Sequence, residues 1–322
     1  MGLGLRAGYR GNVAPRPYLC PYPLRATMFH AADYLDEFFA SVLLRALGRP
    51  VEVIGYRFLS GGCVHQTLVL STSAANYCLK FNEQEPEALL LAEADGLEAL
   101  RRADALPVPQ VLGVGVLDGR SWLLMQYLEA GRRRPDFWEA LGQGLALLHG
   151  HTAPRFGAEA DNFIGSLPQP NGWLADPFAF FAERRLLHQG GQALLAGLLP
   201  LPAFKQLEAL CARLPTLLPP ERPALLHGDL WSGNLLTGPD GGPWLIDPAV
   251  HYGLREAELA FTHLFGGFEE PFYQAYQEAF PLEPDFADRR DVYNLYPLLV
   301  HLNLFGSGYL PGIERTLQRY AG

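Results

Sequence analysis

The chain has 322 residues, room for two domains of ordinary size or one large bilobal unit. Its 49% hydrophobic and 18% charged residues are a globular composition, which excludes a mostly disordered chain. Acidic residues outnumber basic ones by 34 to 25, a net charge of −9, which excludes a bulk electrostatic binder of nucleic acid, and no apolar run reaches the roughly 18 residues that span a bilayer.

Residues 1–27 hold Arg6, Arg10, Arg16 and Arg25, no acidic residue, and many Gly, Pro and Tyr. They read as a disordered extension or as residues upstream of a start at Met28, although an Arg-rich, acid-free start is also what a transit peptide carries. From Phe29 a helical pattern (Tyr34, Leu35, Phe38, Phe39, Val42, Leu43, Ala46) runs to a stop at Gly48 and Pro50. Strand-like runs follow at 51–59 and 64–70, joined by Ser60-Gly61-Gly62-Cys63. A third run, 77–82, alternates Tyr77, Leu79 and Phe81 against Cys78, Lys80 and Asn82. A helix is expected over 86–103, then two strands over 111–117 and 121–128 linked by the hairpin signal Asp118-Gly119. Residues 28–130 therefore read as a small, mostly antiparallel sheet lobe carrying one helix.

After Gly131 long helical patterns take over, at 136–150, 177–198, 201–217, 256–265, 271–279 and 286–304, interrupted by a single β-hairpin around 234–247. Residues 131–322 read as a larger, mainly helical lobe, and the whole as a bilobal α+β fold. The four cysteines, Cys20, Cys63, Cys78 and Cys211, form no CxxC pair, which rules out a disulfide framework or a cysteine zinc site and fits a reducing, cytoplasmic setting.

The chemistry concentrates in His227-Gly228-Asp229-Leu230-Trp231-Ser232-Gly233-Asn234, followed by a hairpin that ends in Asp247-Pro248. If Thr237 pairs with Trp244, antiparallel register places Asn234 opposite Asp247, with Cα atoms about 4.5–5.5 Å apart. An amide oxygen and a carboxylate so placed suit Mg²⁺, which takes one or two protein oxygens plus phosphates and water. Asp229, five residues before Asn234, can lie near such an ion without binding it, as a general base must.

Only two of the 25 basic residues are lysines, Lys80 and Lys205, so Arg is this chain's default cation. Lys80 lies on the strand face opposite Leu79 and Phe81. Glu93, thirteen residues on, falls on the helix stripe of Leu97 and Leu100. A carboxylate on an apolar stripe is costly unless paired, and Lys80 is its expected partner. Lys205 has no such context and reads as a surface residue. The Gly61-Gly62 turn can bring backbone N–H groups to phosphates, or be only a turn. Gln126, Tyr127 and Leu128 end the last sheet strand, where a connector between lobes can meet an adenine edge.

These residues resemble the protein-kinase-like phosphotransferases, and most closely the fructosamine kinase (ketosamine 3-kinase) family, over about residues 30–320. The general marks are Lys80, Glu93, His227-Gly228-Asp229, Asn234 and Asp247. The family marks are HGDLWSGN, Asp247-Pro248-Ala249, Gly253 to Ala260, Asp161 to Ser166 with Gln169 and Asn171, and Leu264 to Phe268. The resemblance implies ATP- and Mg²⁺-dependent phosphorylation of a ketoamine sugar hydroxyl, on a small molecule or a glycated protein amine. It implies Asp229 as the base, Asn234 and Asp247 as holders of Mg²⁺, and Lys80, fixed by Glu93, on the α/β-phosphates. Gly61 and Gly62 would cover the phosphates, and Gln126 to Leu128 would bind adenine. Trp231 can stack on the sugar or pack in the core.

There is no GxGxxG loop, no arginine before the base and no recognisable activation segment, which argues against a signalling protein kinase and for a small-molecule kinase. Kinases of aminoglycosides, choline or methylthioribose, and a non-catalytic nucleotide-binding module, are the competing readings. Cys63, in the glycine turn, is a candidate redox switch. His149 and His151 are poorly spaced for a metal and read as structural. Nothing in the sequence chooses between monomer and homodimer.

Overall fold

The computed structural model describes residues 31–59, 65–83 and 87–320. Residues 1–27 and the turn bearing Gly61, Gly62 and Cys63 lie outside them, and with them the expectations of an extension, a phosphate cover and a redox switch.

Helix α1 (Ala31–Leu47) precedes strands β1 (Val53–Phe58), β2 (Gln66–Thr72) and β3 (Asn76–Asn82); α2 (Glu87–Ala103) then leads to β4 (Val111–Leu117) and β5 (Arg120–Gln126). The strands form one antiparallel sheet in the order β1-β2-β3-β5-β4. The period of two along β3 decides what each face does. Leu79 and Phe81, with Leu68, Leu70 and Leu124, pack under Phe38, Phe39, Val42 and Leu43 of α1. Leu123 and Met125 on the opposite face join Leu90, Ala94 and Leu97 of α2 in a second core. That core continues into the helical lobe through Leu145, Leu225, Leu230 and Leu245, so apolar packing bridges the lobes.

The chain leaves β5 and enters α3 (Phe137–Gly150) through an irregular connector. Beyond it the expected single hairpin is one of three short antiparallel pairs. These are β6 (Asn162–Ile164) with β7 (Leu167–Gln169), β8 (Ala224–Leu226) with β11 (His251–Gly253), and β9 (Leu235–Thr237) with β10 (Pro243–Leu245). Three-residue strands are too short to show a period, which is why two of the pairs escaped the sequence pattern.

The helix expected over 177–198 is a short turn α4 (Pro177–Ala179), a π-helical segment (Phe180–Leu186) and α5 (Leu187–Leu195); α6 (Leu201–Leu217) follows. The remaining helices are α7 (Arg255–Leu264), α8 (Glu270–Ala279), α9 (Phe286–Tyr293), α10 (Leu295–Phe305) and α11 (Leu310–Tyr320). One helix was expected over 286–304, and two are found. Pro297 has no N–H to give the Tyr293 carbonyl, so the ladder breaks there.

Helices α3 and α8 cross at Gly142, where a Cβ would lie 2.3 Å from the Phe272 carbonyl oxygen and 2.9 Å from the Tyr276 nitrogen. Backbone atoms cannot swing aside. Gly142→Ala is therefore expected to lower stability by about 1–3 kcal/mol, whereas Gly150→Ala, with nothing within 4 Å, is expected to be neutral or slightly stabilising. Urea denaturation of the two variants checks the contrast.

Candidate active site

Strand β8 delivers the chain into His227-Gly228-Asp229. Gly228 has φ +86°, and a Cβ there would sit 2.0 Å from the Ala249 carbonyl oxygen, so only glycine makes this turn. His227 is fully buried. Its Nε2 donates to the Ile246 carbonyl at 2.9 Å, because a carbonyl can only accept, and its bare Nδ1 accepts the Asp229 N–H at 3.3 Å. Burial favours the same neutral ring by lowering the His227 pKa. Burial pushes the Asp229 carboxyl up to about 7; the Asp247 charge adds to this, the Asn234 hydrogen bond opposes it and the Glu258 charge adds a little more.

A 3₁₀ turn (Ser232–Asn234) then carries Asn234 inward. Its Nδ2 donates to the Asp229 side chain at 3.0 Å and main-chain carbonyl at 2.9 Å, tying the two residues together. The expected pairing of Asn234 with Asp247 is wrong by one position. The observed register pairs Thr237 with Pro243 and Leu235 with Leu245, and the Ile246 N–H reaches the Asn234 carbonyl at 3.1 Å. The cause is the turn. Gly238 bonds Gly242 across three residues, Pro239-Asp240-Gly241, with Gly241 at φ +81°, the G1-bulge form of hairpin. Asp247 instead turns back through a left-handed φ of 55°. Its carbonyl stays 3.5 Å from Asn234 Nδ2, so the two residues are neighbours without being strand partners. Its side chain reaches Lys80.

Lys80 Nζ lies 2.7 Å from Glu93 and 2.6 Å from Asp247, one carboxylate from each lobe. Gly96 lets α2 close on the helical lobe: a Cβ there would already be 3.1 Å from the Pro248 ring. Burial works to lower the Lys80 pKa, but Asp247 and then Glu93 outweigh it and raise it, so the ammonium stays charged. Burial pushes Glu93 upward against the pull of Lys80. Lys205, by contrast, is exposed and pairs with Glu208 on its own helix.

The remaining expected residues sort by position. Gln126 closes β5 and gives its N–H to the Gln110 carbonyl at 2.9 Å, so it can meet an adenine edge only through its carbonyl or side chain; Tyr127 and Leu128 follow in the connector. Trp231 is 37% exposed, so its side chain is not packed in the core. That ring lies over Gly233, whose Cβ would meet it at 2.2 Å. Burial pushes the Cys78 and Cys211 thiols up to about 11 and about 12, as inert filler requires. The Asp161–Asn171 motif is a clasp. Asn162 donates to the Val250 carbonyl and accepts from Gln169 and Asn171, while Gln169 also donates to the Ala249 carbonyl, holding the chain just after Asp247-Pro248.

Sequence reasoning missed three participants. His65, just after the glycine turn, has its pKa lowered to about 4, first by burial and then by Lys80. Arg185 is 1% exposed and donates to Asn171 Oδ1 at 2.7 Å, bracing the clasp. Glu258 is buried against the His227-Gly228 backbone. A warning was present in Arg255-Glu256-Ala257-Glu258, three charges in an otherwise apolar stretch, which must find partners if the helix is buried.

The fructosamine kinase family model matches residues 36–321. The chain belongs to the fructosamine kinase family. A Synechocystis sp. protein named a probable ketoamine kinase is 41% identical over 286 residues, 87% of this chain and 95% of its own. A chloroplastic protein-ribulosamine 3-kinase of Oryza sativa subsp. indica is 35% identical over 291 residues, 85% of this chain and 80% of its own. A solved structure from Haemophilus somnus 129PT, provisionally named a fructosamine-3-kinase, superposes with a TM-score of 0.80 at 26% identity, covering 88% of this chain and 96% of that one. An aminoglycoside phosphotransferase at 15% identity, with a TM-score of 0.60 over 88% of this chain and 99% of its own, shares the fold alone, the protein-kinase-like bilobal one. As in the rest of this kinase family, the activity is that of an ATP-dependent phosphotransferase.

Breaking a buried ion pair from one side leaves a bare charge behind. Lys80→Ala strands the nearly buried Glu93, while the half-exposed Asp247 keeps its water, and is expected to cost roughly 3–5 kcal/mol. Glu93→Ala leaves Lys80 with Asp247 and is expected to cost less. Chemical denaturation of both variants tests the order, which equal midpoints would contradict.

Proposed function

We propose that this protein phosphorylates a sugar hydroxyl of a ketosamine, the adduct left when a reducing sugar glycates an amine, and so takes part in removing that adduct. The observation that carries the reading is the convergence of Asp229, Asn234, Asp247 and Lys80, in which Asn234 donates to Asp229 and Lys80 pairs with Asp247. The names of the relatives, ketoamine and ribulosamine kinases, supply the substrate class.

In this reading Asp229 accepts the proton of the sugar hydroxyl as it attacks, with Asn234 holding the carboxylate in place. Lys80 neutralises charge on the ATP phosphates from a position fixed by Glu93. The donor set fits Mg²⁺ better than a metal held by protein alone. Among the described residues no cluster of three or more His, Cys, Asp or Glu can hold a metal, whereas the Asn234 amide oxygen and the Asp247 carboxylate supply two hard oxygens. When bound, Mg²⁺ would offset charge on the transferring phosphoryl group. Trp231 offers its exposed face to the sugar or its amine substituent. The protein itself contributes mainly positioning and charge stabilisation, which is most of phosphoryl transfer. No helix among the described residues is long and apolar enough to cross a membrane, and the proposed setting is the cytoplasm.

ATP consumption is to be measured with Mg²⁺ on the ribulosamine and the fructosamine of lysine. Asp229→Ala is expected to lower kcat by about 10²–10⁴; a wild type inert on both sugars would remove the ketosamine reading. In the same assay Trp231→Ala is expected to raise the KM of the sugar by about 2- to 10-fold with that of ATP unchanged. A shift in the ATP KM alone would place the ring with the nucleotide.

A further inference from the structure

Beside Asp229 the helical lobe holds a cavity of about 50 Å³. A water-sized group needs roughly 10–15 Å³ of such volume, so there is room for a few heavy atoms. Asp229 and Tyr296, both half-buried, line it together with the buried Phe180, Leu254 and Arg185. Its polar groups are few enough to count by donor and acceptor.

Arg185 is the unusual one. The segment that carries it, Phe180–Leu186, is π-helical, a geometry that is rare and frequent at functional sites. Arg185 is 1% exposed, yet none of its hydrogen-bond partners is a carboxylate. Its Nη1 donates to the Pro170 and Arg184 carbonyls at 2.7 and 3.0 Å, and its Nη2 to Asn171 Oδ1 at 2.7 Å. The Phe180 and Tyr296 rings, with centroids 4.7 and 5.6 Å from Cζ, offset part of the cost of its burial. Burial lowers its pKa to about 10, which leaves it charged at neutral pH. Its Nε–H has no partner, and an unmet buried donor is costly.

Two acceptors share the wall. The Tyr296 hydroxyl gives its hydrogen to Gln169 Oε1 at 2.5 Å and keeps its oxygen able to accept. His251 gives its Nδ1–H to the Ala249 carbonyl at 3.0 Å, which leaves Nε2 bare. One donor with acceptors beside it is the complement of an alcohol, which both takes and gives a hydrogen bond. A phosphate or carboxylate, rich in acceptors, would meet the Arg185 N–H but also two lone-pair groups.

We propose that this cavity is the subsite for the terminal hydroxyl of the sugar, held by Arg185 Nε and Tyr296 Oη. The proposal rests on the ketosamine reading with Asp229 as the base. The reacting hydroxyl is then at Asp229, and the amine, which can belong to a protein, stays outside. The far end of the sugar is the part small enough to enter.

Turnover is to be compared for the ribulosamine of lysine and its 5-deoxy analogue, which lacks only the terminal hydroxyl. Wild type is expected to lose about 10- to 100-fold in kcat/KM on the analogue, the scale of one hydrogen bond to a charged group, with the ATP KM unchanged. Arg185→Lys keeps the charge but not the Nε–H, and is expected to bring the two substrates within about threefold of each other. Tyr296→Phe removes only a hydroxyl and is expected to narrow the gap by about 2- to 10-fold. A merely structural role would lower both substrates alike, so an unchanged ratio in either variant overturns the subsite. Equal kcat/KM of wild type on the two substrates does the same, and needs no variant should Arg185→Lys not fold. A ribulosamine 5-phosphate used better than ribulosamine points to an anion site and overturns the assignment of a hydroxyl. A wild type inert on ribulosamine and fructosamine alike removes the ketosamine reading, and this subsite with it, a distinguishable result.

Discussion

The two lobes are joined through one ammonium. Lys80 stands between Glu93, on a helix of the small lobe, and Asp247, at the end of a hairpin in the large one. The ammonium is a compact point charge with three donors, enough to meet one carboxylate from each lobe at once. Removing the cation strands the nearly buried Glu93 carboxylate, while Asp247, whose side chain is 44% exposed, keeps contact with water. The apolar core that runs through both lobes holds the sheet and the hairpin at the separation this contact needs.

Half of that contact was legible in the sequence. Alternation along β3 sends Lys80 to the face opposite Leu79 and Phe81, and the helical period puts Glu93 on a buried stripe, so two local patterns converge on one pair. The Asp247 half was not legible, because it depends on a turn. Counting outward from a Thr237–Trp244 pair puts Asn234 opposite Asp247, but the left-handed Gly241 makes the loop one residue different, and the pairing shifts by one. A slip of one residue turns every side chain over. Asp247 is nevertheless brought to Lys80 by its own left-handed backbone, a conformation that aspartate tolerates better than most residues and that the Gln169–Asn162 clasp helps to hold.

The bilobal organisation was legible for a similar reason: long periodic segments carry their own signal. The β6–β7 and β8–β11 pairs were not, since three residues give no period, yet they do much of the placing of the site. Strand β8 feeds the Gly228 turn, and β6 and β7 carry the clasp. The family motif around Asp161 could be quoted from the sequence without a role; its role appears only when Asn162 and Gln169 are seen donating to the carbonyls that follow Asp247-Pro248.

Three buried carboxylates show why burial alone does not decide a group's chemistry. Asp229, Glu93 and Glu258 all lose most of their water. Glu258 recovers three donors, two of them main-chain amides, and stays low. Glu93 has one ammonium shared with Asp247, too little to cancel its burial. Asp229 has one amide side chain and two nearby negative charges, and its burial pushes it up to about 7. What sets Glu258 apart is the number of hydrogens aimed at its oxygen pair. The loop that carries Asp229, with its single side-chain donor, is thus held by a carboxylate that is saturated, on the helix packed against it.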